Sequence, residues 1–330
     1  MRQSRLSSRY SLAEIEPHQE HGAFREEIAA GLGAERKRIP CRFLYDEAGS
    51  ALFEEICELP EYYVTRAERQ ILEDHSDEIA ASFAEPVSLA ELGSGSSAKT
   101  RLLIEAFLRR QGTLRYVPVD ISRSMLDESA RELLDDYGGL EIHAIASEYL
   151  DGLHRVRGET GRPKLIAWLG SNIGNFDRAA AGHFLRRIRD ALGERDRLLL
   201  GVDLRKDRTV LESAYDDAAG VTARFNLNLL ERINRDLDGD FDVRGFAHRA
   251  TYLEDEGRVV LELVSRRDQQ VRIGALDLVV DLAAGEAIHT EDSYKYSFEE
   301  VAALGAAADL EVERRWLDER GDYSLYLLSR

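Results

Sequence analysis

Val87-Ser-Leu-Ala-Glu91-Leu-Gly93-Ser-Gly95-Ser-Ser-Ala98-Lys99-Thr100 takes an apolar strand into a glycine-rich turn and then into a helix start. Gly93 and Gly95 permit a sharp turn and a close approach of a ligand to the main chain. Ser96, Ser97 or Thr100 is placed to cap the helix that follows. Gly93-x-Gly95-x-x-Ala98 fits a dinucleotide fingerprint in its alanine-ended form, and Asp120 closes the next apolar strand, where an acid accepts hydrogen bonds from ribose hydroxyls. Glu91, two residues before the first glycine, puts a carboxylate beside the cofactor. That charge suits a cationic ligand better than a pyrophosphate, so a nicotinamide-dependent dehydrogenase is the weaker alternative.

Further runs carry reactive types. Tyr45-Asp-Glu-Ala-Gly-Ser50-x-Leu-Phe53-Glu-Glu-Ile56-x-x-Leu59-Pro-Glu-Tyr62-Tyr63-x-Thr65-Arg66-x-Glu68 combines an amphipathic helix over Leu52, Phe53, Ile56 and Leu59 with tyrosines that serve packing or a site equally well. Leu169-Gly170-Ser-Asn-Ile-Gly174-Asn175-Phe176 follows a strand. Asn175 there either caps the next helix or faces a substrate, and the run is not Asn-Pro-Pro-Tyr, the signature for methylating adenine or amide nitrogens. In Thr290-Glu291-Asp-Ser293-Tyr294-Lys295-Tyr296, Glu291 and Ser293 point the same way on an extended segment. An acceptor and a donor side by side suit the two nitrogens of an imidazole. The alternative for this run is solvent-exposed charge.

The elements that must position these residues alternate in period. Helix Glu68–Ala84, strand Val87–Leu92, helix Lys99–Arg110, strand Arg115–Asp120, helix Met125–Tyr137 and strand Leu140–Ile145 are followed by strand Lys164–Gly170, helix Ala179–Leu192 and strand Arg197–Asp203. This pattern predicts an α/β fold with a parallel sheet covered on both faces. Gly93, Asp120, Glu148, Gly170 and Asp203 then gather at the carboxyl ends of the strands. After Asp203 a long helical stretch, Val210–Leu237, leads into strands Ala247–Leu253, Arg258–Arg266, Gln270–Ile273 and Leu276–Leu282. Helix Phe298–Ala307 and strands Glu311–Leu317 and Tyr323–Ser329 resume the sheet. The expected division is an N-terminal segment 1–67 that joins a substrate lobe and has no place in the sheet, a core of 68–207 and 295–330, and an inserted lobe of 208–294.

The formal charge of −18 argues against a polyanionic partner, because a nucleic-acid surface needs a basic stripe. Small substrates are favoured. Cys41 and Cys57 lack metal-ligand spacing, no metal is expected, and no apolar run approaches a signal peptide or a membrane span. The expectation is a soluble, cytoplasmic monomer without a membrane or nucleic-acid partner.

Glu91-x-Gly93-x-Gly95 is similar to the pattern of S-adenosylmethionine (SAM) methyltransferases. Glu91-Leu-Gly-Ser-Gly-Ser-Ser-x-Lys99-Thr100, Leu59-Pro-Glu-Tyr-Tyr-x-Thr-Arg66, Gly170-x-x-Ile-Gly-Asn175, Asp203-Leu-x-Lys206-Asp207 and Thr290-Glu291-x-Ser293 stand in one order along the chain. In that order they resemble the histidine-specific Nα-methyltransferases of ergothioneine biosynthesis. The resemblance implies a class I methyltransferase Rossmann-like sheet, mostly parallel with a terminal antiparallel hairpin, and an inserted α+β substrate-binding lobe. It implies that Tyr62, Glu291 and Ser293 line an imidazole pocket, and that Asn175 and Tyr215 hold the amino acid's α-amino and carboxylate groups, with Tyr45 near the amine. Glu91, Gly93, Gly95, Lys99, Asp120, Gly170 and the Glu148-Tyr149 pair would bind SAM. Two positions depart from the family pattern: Glu148-Tyr149 stands where Asp-Phe is frequent, and Leu263 stands at a pocket wall that can carry methionine. The implied reaction is three methyl transfers to free L-histidine, giving histidine betaine (hercynine). The alternatives are an Nα-methyltransferase of another small amino acid or amine such as tryptophan, or a cofactor-binding regulator without turnover.

Overall fold

The computed structural model describes residues 8–14, 20–158 and 161–330. The elements of the first half are β1 (Tyr10–Glu14), α1 (Glu20–Leu32), α2 (Glu47–Cys57), α3 (Tyr63–Ala81), β2 (Ser88–Leu92), α4 (Arg101–Gln111), β3 (Leu114–Asp120), α5 (Arg123–Asp136), β4 (Leu140–Ala146), α6 (Tyr149–Arg157) and β5 (Lys164–Trp168). Then come α7 (Arg178–Ala191), β6 (Arg197–Asp203), α8 (Arg208–Tyr215), α9 (Val221–Leu237), β7 (Phe246–Leu253), β8 (Arg258–Ser265), β9 (Gln269–Ile273), β10 (Leu278–Leu282), β11 (Ala287–Tyr294), α10 (Phe298–Ala306), β12 (Glu311–Leu317) and β13 (Tyr323–Ser329).

The chain divides into two compact units. The first contains β1, Arg66–Leu204 and Tyr296–Arg330, and it is built on one eight-stranded sheet in the order β1-β4-β3-β2-β5-β6-β13-β12. Neighbours from β1 through β6 pair parallel; β13 joins β6 antiparallel and β12 closes the hairpin. All five residues of β2 and of β5 are buried, as strands covered on both faces require. Strand order reverses between β2 and β5, and ligands of open α/β sheets sit beyond the carboxyl ends at such a point. This is the expected α/β sheet of a class I methyltransferase, mostly parallel with a terminal antiparallel hairpin.

One expectation is corrected here. The N-terminal segment does enter the sheet: Tyr10–Glu14 pairs parallel with Ile142–Ala146, covering what would otherwise be the open edge of β4. Arg9 secures that join by donating to the backbone carbonyls of Leu134, Tyr137 and Leu140.

The second unit contains residues from α1 to Thr65 together with Arg205–Lys295. Its sheet is antiparallel, in the order β11-β8-β7, with a β9-β10 hairpin beside it in sequence. The long helix expected over Val210–Leu237 is two helices. The first ends at Tyr215, and Asp217 starts the second: its carboxylate accepts from the N–H groups of Val221 at 2.9 Å and Thr222 at 2.7 Å, while Gly220 takes a left-handed φ of 70°. Those bonds satisfy two of the N–H groups that every helix start leaves orphaned. Among the described residues no helix is long and apolar enough to cross a membrane.

Candidate active site

In the first unit, the glycine-rich turn leaves β2 with two left-handed glycines, Gly93 at φ 75° and Gly95 at φ 50°. They are not equivalent. A Cβ on Gly93 would lie 2.8 Å from the Tyr149 hydroxyl and 3.1 Å from Asn172 Nδ2, whereas a Cβ on Gly95 would meet nothing within 4 Å. Gly95 therefore fronts open space, and Asp120 steadies it, accepting from Gly95 N and Ser122 N at 2.9 Å each. Burial holds the Asp120 carboxyl above its usual range. Ser94 contributes a buried hydroxyl oxygen that has no hydrogen-bond partner among the described residues. An open cradle with left-handed glycines, a carboxylate at the end of the second strand and an orphaned hydroxyl fits an adenosyl-type cofactor.

Glu91 is turned beneath this loop. Its oxygens accept from Thr100 Oγ1 at 2.6 Å and from the Tyr116 hydroxyl, and Ser97 Oγ lies 2.9 Å from that same hydroxyl. Burial pushes the Glu91 carboxyl up to about 7 against these donors. Of the hydroxyls expected to cap α4, those of Ser97 and Thr100 are thus spent on Tyr116 and Glu91, and Thr100 flanks the helix without a capping bond.

Lys99 and Gly170 share a partner that sequence reasoning quoted but gave no role. Glu68, fully buried, accepts from Gly170 N at 2.8 Å, from the Tyr323 hydroxyl at 2.7 Å and from Lys99 Nζ. Gly201 makes room for it, since a Cβ there would sit 2.4 Å from Glu68 Oε1. Glu148 precedes α6 exposed, while the Tyr149 ring packs against Trp168 and Phe184 with its hydroxyl towards Gly93. Asn175 closes the turn after β5. The cap of α7 is Asp177, which accepts from Ala180 N at 2.8 Å, so Asn175 has no capping duty and its side-chain amide meets no protein hydrogen-bonding group among the described residues.

In the second unit, β11 carries a bulge. His289 pairs with Glu262 and Glu291 with Leu261, which leaves Thr290 uncounted; its hydroxyl donates to the Leu261 carbonyl at 3.0 Å. Beyond the bulge Glu291 and Ser293 are both buried, and Lys295 follows with no exposure at all. The alternative for this run, solvent-exposed charge, does not hold for Glu291 and Lys295. Among the described residues Glu291 has no hydrogen-bond partner, and burial pushes its carboxyl up to about 7 despite the pull of the Lys295 charge. Lys295 Nζ donates to the Tyr215 hydroxyl at 2.7 Å and to Ser293 Oγ at 2.8 Å, and those two oxygens are 2.7 Å apart.

Around this group the second unit supplies an aromatic wall. Tyr62 and Tyr215 meet edge to face at 6.1 Å, Phe53 contacts Tyr62 and Tyr45, and Phe225 contacts Tyr45 and Phe53. Leu263 is fully buried on the same face of β8 as Leu261, the cross-strand partner of Glu291. His248, opposite Leu263, holds the backbone beneath: its Nε2 lies 2.7 Å from the Tyr215 carbonyl and its Nδ1 2.9 Å from Asn226 Nδ2. A carbonyl only accepts, so Nε2 carries the hydrogen and Nδ1 accepts from Asn226. Burial keeps this ring neutral by lowering its pKa.

Residues 24–330 match the family of histidine-specific, SAM-dependent methyltransferases. The chain belongs to that family. Among its relatives in this family, a histidine N-alpha-methyltransferase of Mycolicibacterium smegmatis is 44% identical over 308 residues, covering 93% of this chain and 95% of that protein. One of Mycobacterium tuberculosis is 42% identical, covering 94% and 96%. The ergothioneine biosynthesis protein 1 of Neurospora crassa is 34% identical over 89% of this chain, which corresponds to 33% of that longer protein.

Proposed function

We propose that this protein transfers methyl groups from SAM to the α-amino nitrogen of free L-histidine, three times, giving histidine betaine (hercynine), the first step of ergothioneine biosynthesis. The observation that carries the substrate is Glu291: a buried carboxylate with no hydrogen bond among the described residues, two residues from a buried serine hydroxyl. A buried unpaired acceptor is costly, and a ligand N–H removes that cost.

The proposed roles follow unit by unit. In the core, Gly93, Gly95, Lys99, Asp120, Glu148, Tyr149 and Gly170 hold SAM, and Glu91 acts through the loop that it ties down. Bound SAM supplies an electrophilic methyl carbon on a cationic sulfur. Asn175, with its amide uncommitted, holds the substrate α-amine. In the second unit, Tyr62, Glu291, Ser293 and Leu263 take the ring, Tyr215 takes the carboxylate and Tyr45 orients the amine. In-line displacement needs a neutral nitrogen held at about 3 Å from the carbon it attacks. An α-amine with a reference pKa of about 8 loses its proton near neutrality at a cost of about 1–2 kcal/mol, so solvent suffices as the base. Placement does the catalysis.

The test is a screen of the free amino acids with labelled SAM and mass detection. A gain of three methyl groups on histidine supports the reading; transfer to another amino acid, with histidine untouched, refutes it. The protein is read as a cytoplasmic enzyme acting as a monomer on a small molecule, and gel filtration with light scattering checks the last point.

A further inference from the structure

The turn after β5 is built from two successive left-handed residues, Gly170 at φ 70° and Ser171 at φ 58°. A serine in that region carries backbone strain, and such strain gathers at functional sites. Both residues are pinned: Gly170 N donates to Glu68, and Ser171 Oγ accepts from Asp203 N at 3.0 Å. The double reversal brings the next side chain, Asn172, over the glycine turn that leaves β2. A Cβ on Gly93 would lie 3.1 Å from Asn172 Nδ2, and a Cβ on Gly170 would lie 3.8 Å from the same nitrogen. Asn172 is half-buried, and its side-chain amide makes no hydrogen bond among the described residues.

The neighbour of this amide is Lys99, whose Nζ lies 3.7 Å from the point that a Gly170 Cβ would take. An ammonium nitrogen only donates, and an amide nitrogen donates too. Two donors brought to one place beside a pair of glycines call for an acceptor, and the charge on one of them favours an anion. SAM offers acceptors at its adenine, at its ribose hydroxyls and at the carboxylate of its methionine part. Sheet order decides among them. Asp120, suited to a ribose, ends β3 on one side of β2, whereas Gly170 follows β5 on the other. A cofactor whose ribose is held at β3 carries its methionine end across the glycine turn towards β5. The carboxylate is the anion on that end.

We propose that Asn172 is a further cofactor-binding residue, whose Nδ2–H donates to the SAM carboxylate alongside Lys99. The inference rests on SAM as the cofactor and is independent of which amine is methylated. Because the Lys99 ammonium is shared with the Glu68 carboxylate, the cofactor's anion draws its second donor from an uncharged side chain. The amide also selects by charge: a carboxylate in its place would repel the carboxylate of SAM.

The experiment is calorimetry on the full chain with S-adenosylhomocysteine and with its decarboxylated analogue, which keeps the amine and lacks the carboxylate. The parent is expected to prefer S-adenosylhomocysteine. Asn172→Ala is expected to bind S-adenosylhomocysteine about tenfold more weakly, and the analogue within about twofold of the parent. Asn172→Asp, of the same shape, is expected to lose about a hundredfold on S-adenosylhomocysteine and nothing on the analogue. Equal losses on the two ligands overturn the proposal, because a structural role or a contact with the adenosine part would produce them. An alanine variant that binds S-adenosylhomocysteine as the parent does overturns it too. A parent with the same affinity for both ligands overturns it without any variant. A parent that binds neither ligand overturns the SAM reading along with it.

Discussion

The Tyr323 hydroxyl donates to the Glu68 carboxylate at 2.7 Å, a bond between the core's first helix and its last strand, made at a point fully closed to solvent. The same carboxylate receives the Gly170 N–H and the Lys99 ammonium, so two loops at the carboxyl edge of the sheet hang from one side chain. Glu68→Gln keeps the volume but turns one acceptor into a donor facing other donors. We expect affinity for S-adenosylhomocysteine to fall about tenfold, the equivalent of one charge-assisted hydrogen bond. Calorimetry checks it, and an unchanged affinity would remove Glu68 from the support of that edge.

Gly93 and Gly95 separate steric from ligand effects. Gly95→Ala meets no protein atom within 4 Å, so its folding cost is the left-handed backbone alone, about 1–2 kcal/mol. Gly93→Ala carries that cost and a collision with the Tyr149 hydroxyl. The expected result is that both variants lose cofactor affinity, while Gly93→Ala melts clearly lower. If Gly95→Ala binds S-adenosylhomocysteine normally, the open space in front of it is not where the cofactor lies.

Asn175→Ala should leave the melting temperature and cofactor affinity near those of the parent, because the side-chain amide makes no hydrogen bond among the described residues and Asp177 caps α7. Turnover should drop by about tenfold or more, the scale of one lost positioning contact. Equal single-turnover rates in the two proteins would take Asn175 out of the site.

Glu291 predicts a pH dependence with a definite sign. Its carboxyl moves from an ordinary 4.5 to about 7 by burial, so between those values the folded protein holds a proton that the unfolded chain has released. Its contribution to stability is present in full below 4.5 and is lost as pH rises through 7, on the order of 3 kcal/mol in all. Histidine affinity runs the other way, rising through 7 as the carboxylate becomes an acceptor. Denaturant midpoints at pH 5 and pH 8 should show a shallower fall in Glu291→Gln than in the parent. Glu91, raised in the same direction, keeps that fall from vanishing.

The core strands from β2 to β6 and helices α4, α5 and α7 were legible because their apolar runs and helical stripes alternate locally, whereas α6, short and rich in charge, was not read. Elements that depend on distant partners were not. Tyr10–Glu14 is short and half polar, and only the open edge of β4 makes it a strand. The same reason divides the site. Glu291 and Ser293 stood out by their spacing, but Glu68 and Lys295 belong to residue types that are ordinarily solvated. They are buried only because Tyr323, Tyr215 and other partners far along the chain complete them. The break after Tyr215 did have a local signal in Asp217 and Gly220, masked by good helix formers on both sides.

Thr290 has a consequence larger than its own contacts. A strand counts its side chains by twos, and the one uncounted residue stands outside that alternation. Deleting it would leave His289 opposite Glu262 and Glu291 opposite Leu261 in an unbroken ladder, so the downstream residues would keep their partners and their faces while the local kink disappeared. Losing that codon would thus probe the bend by itself, with each recognition group still on its own side of the strand.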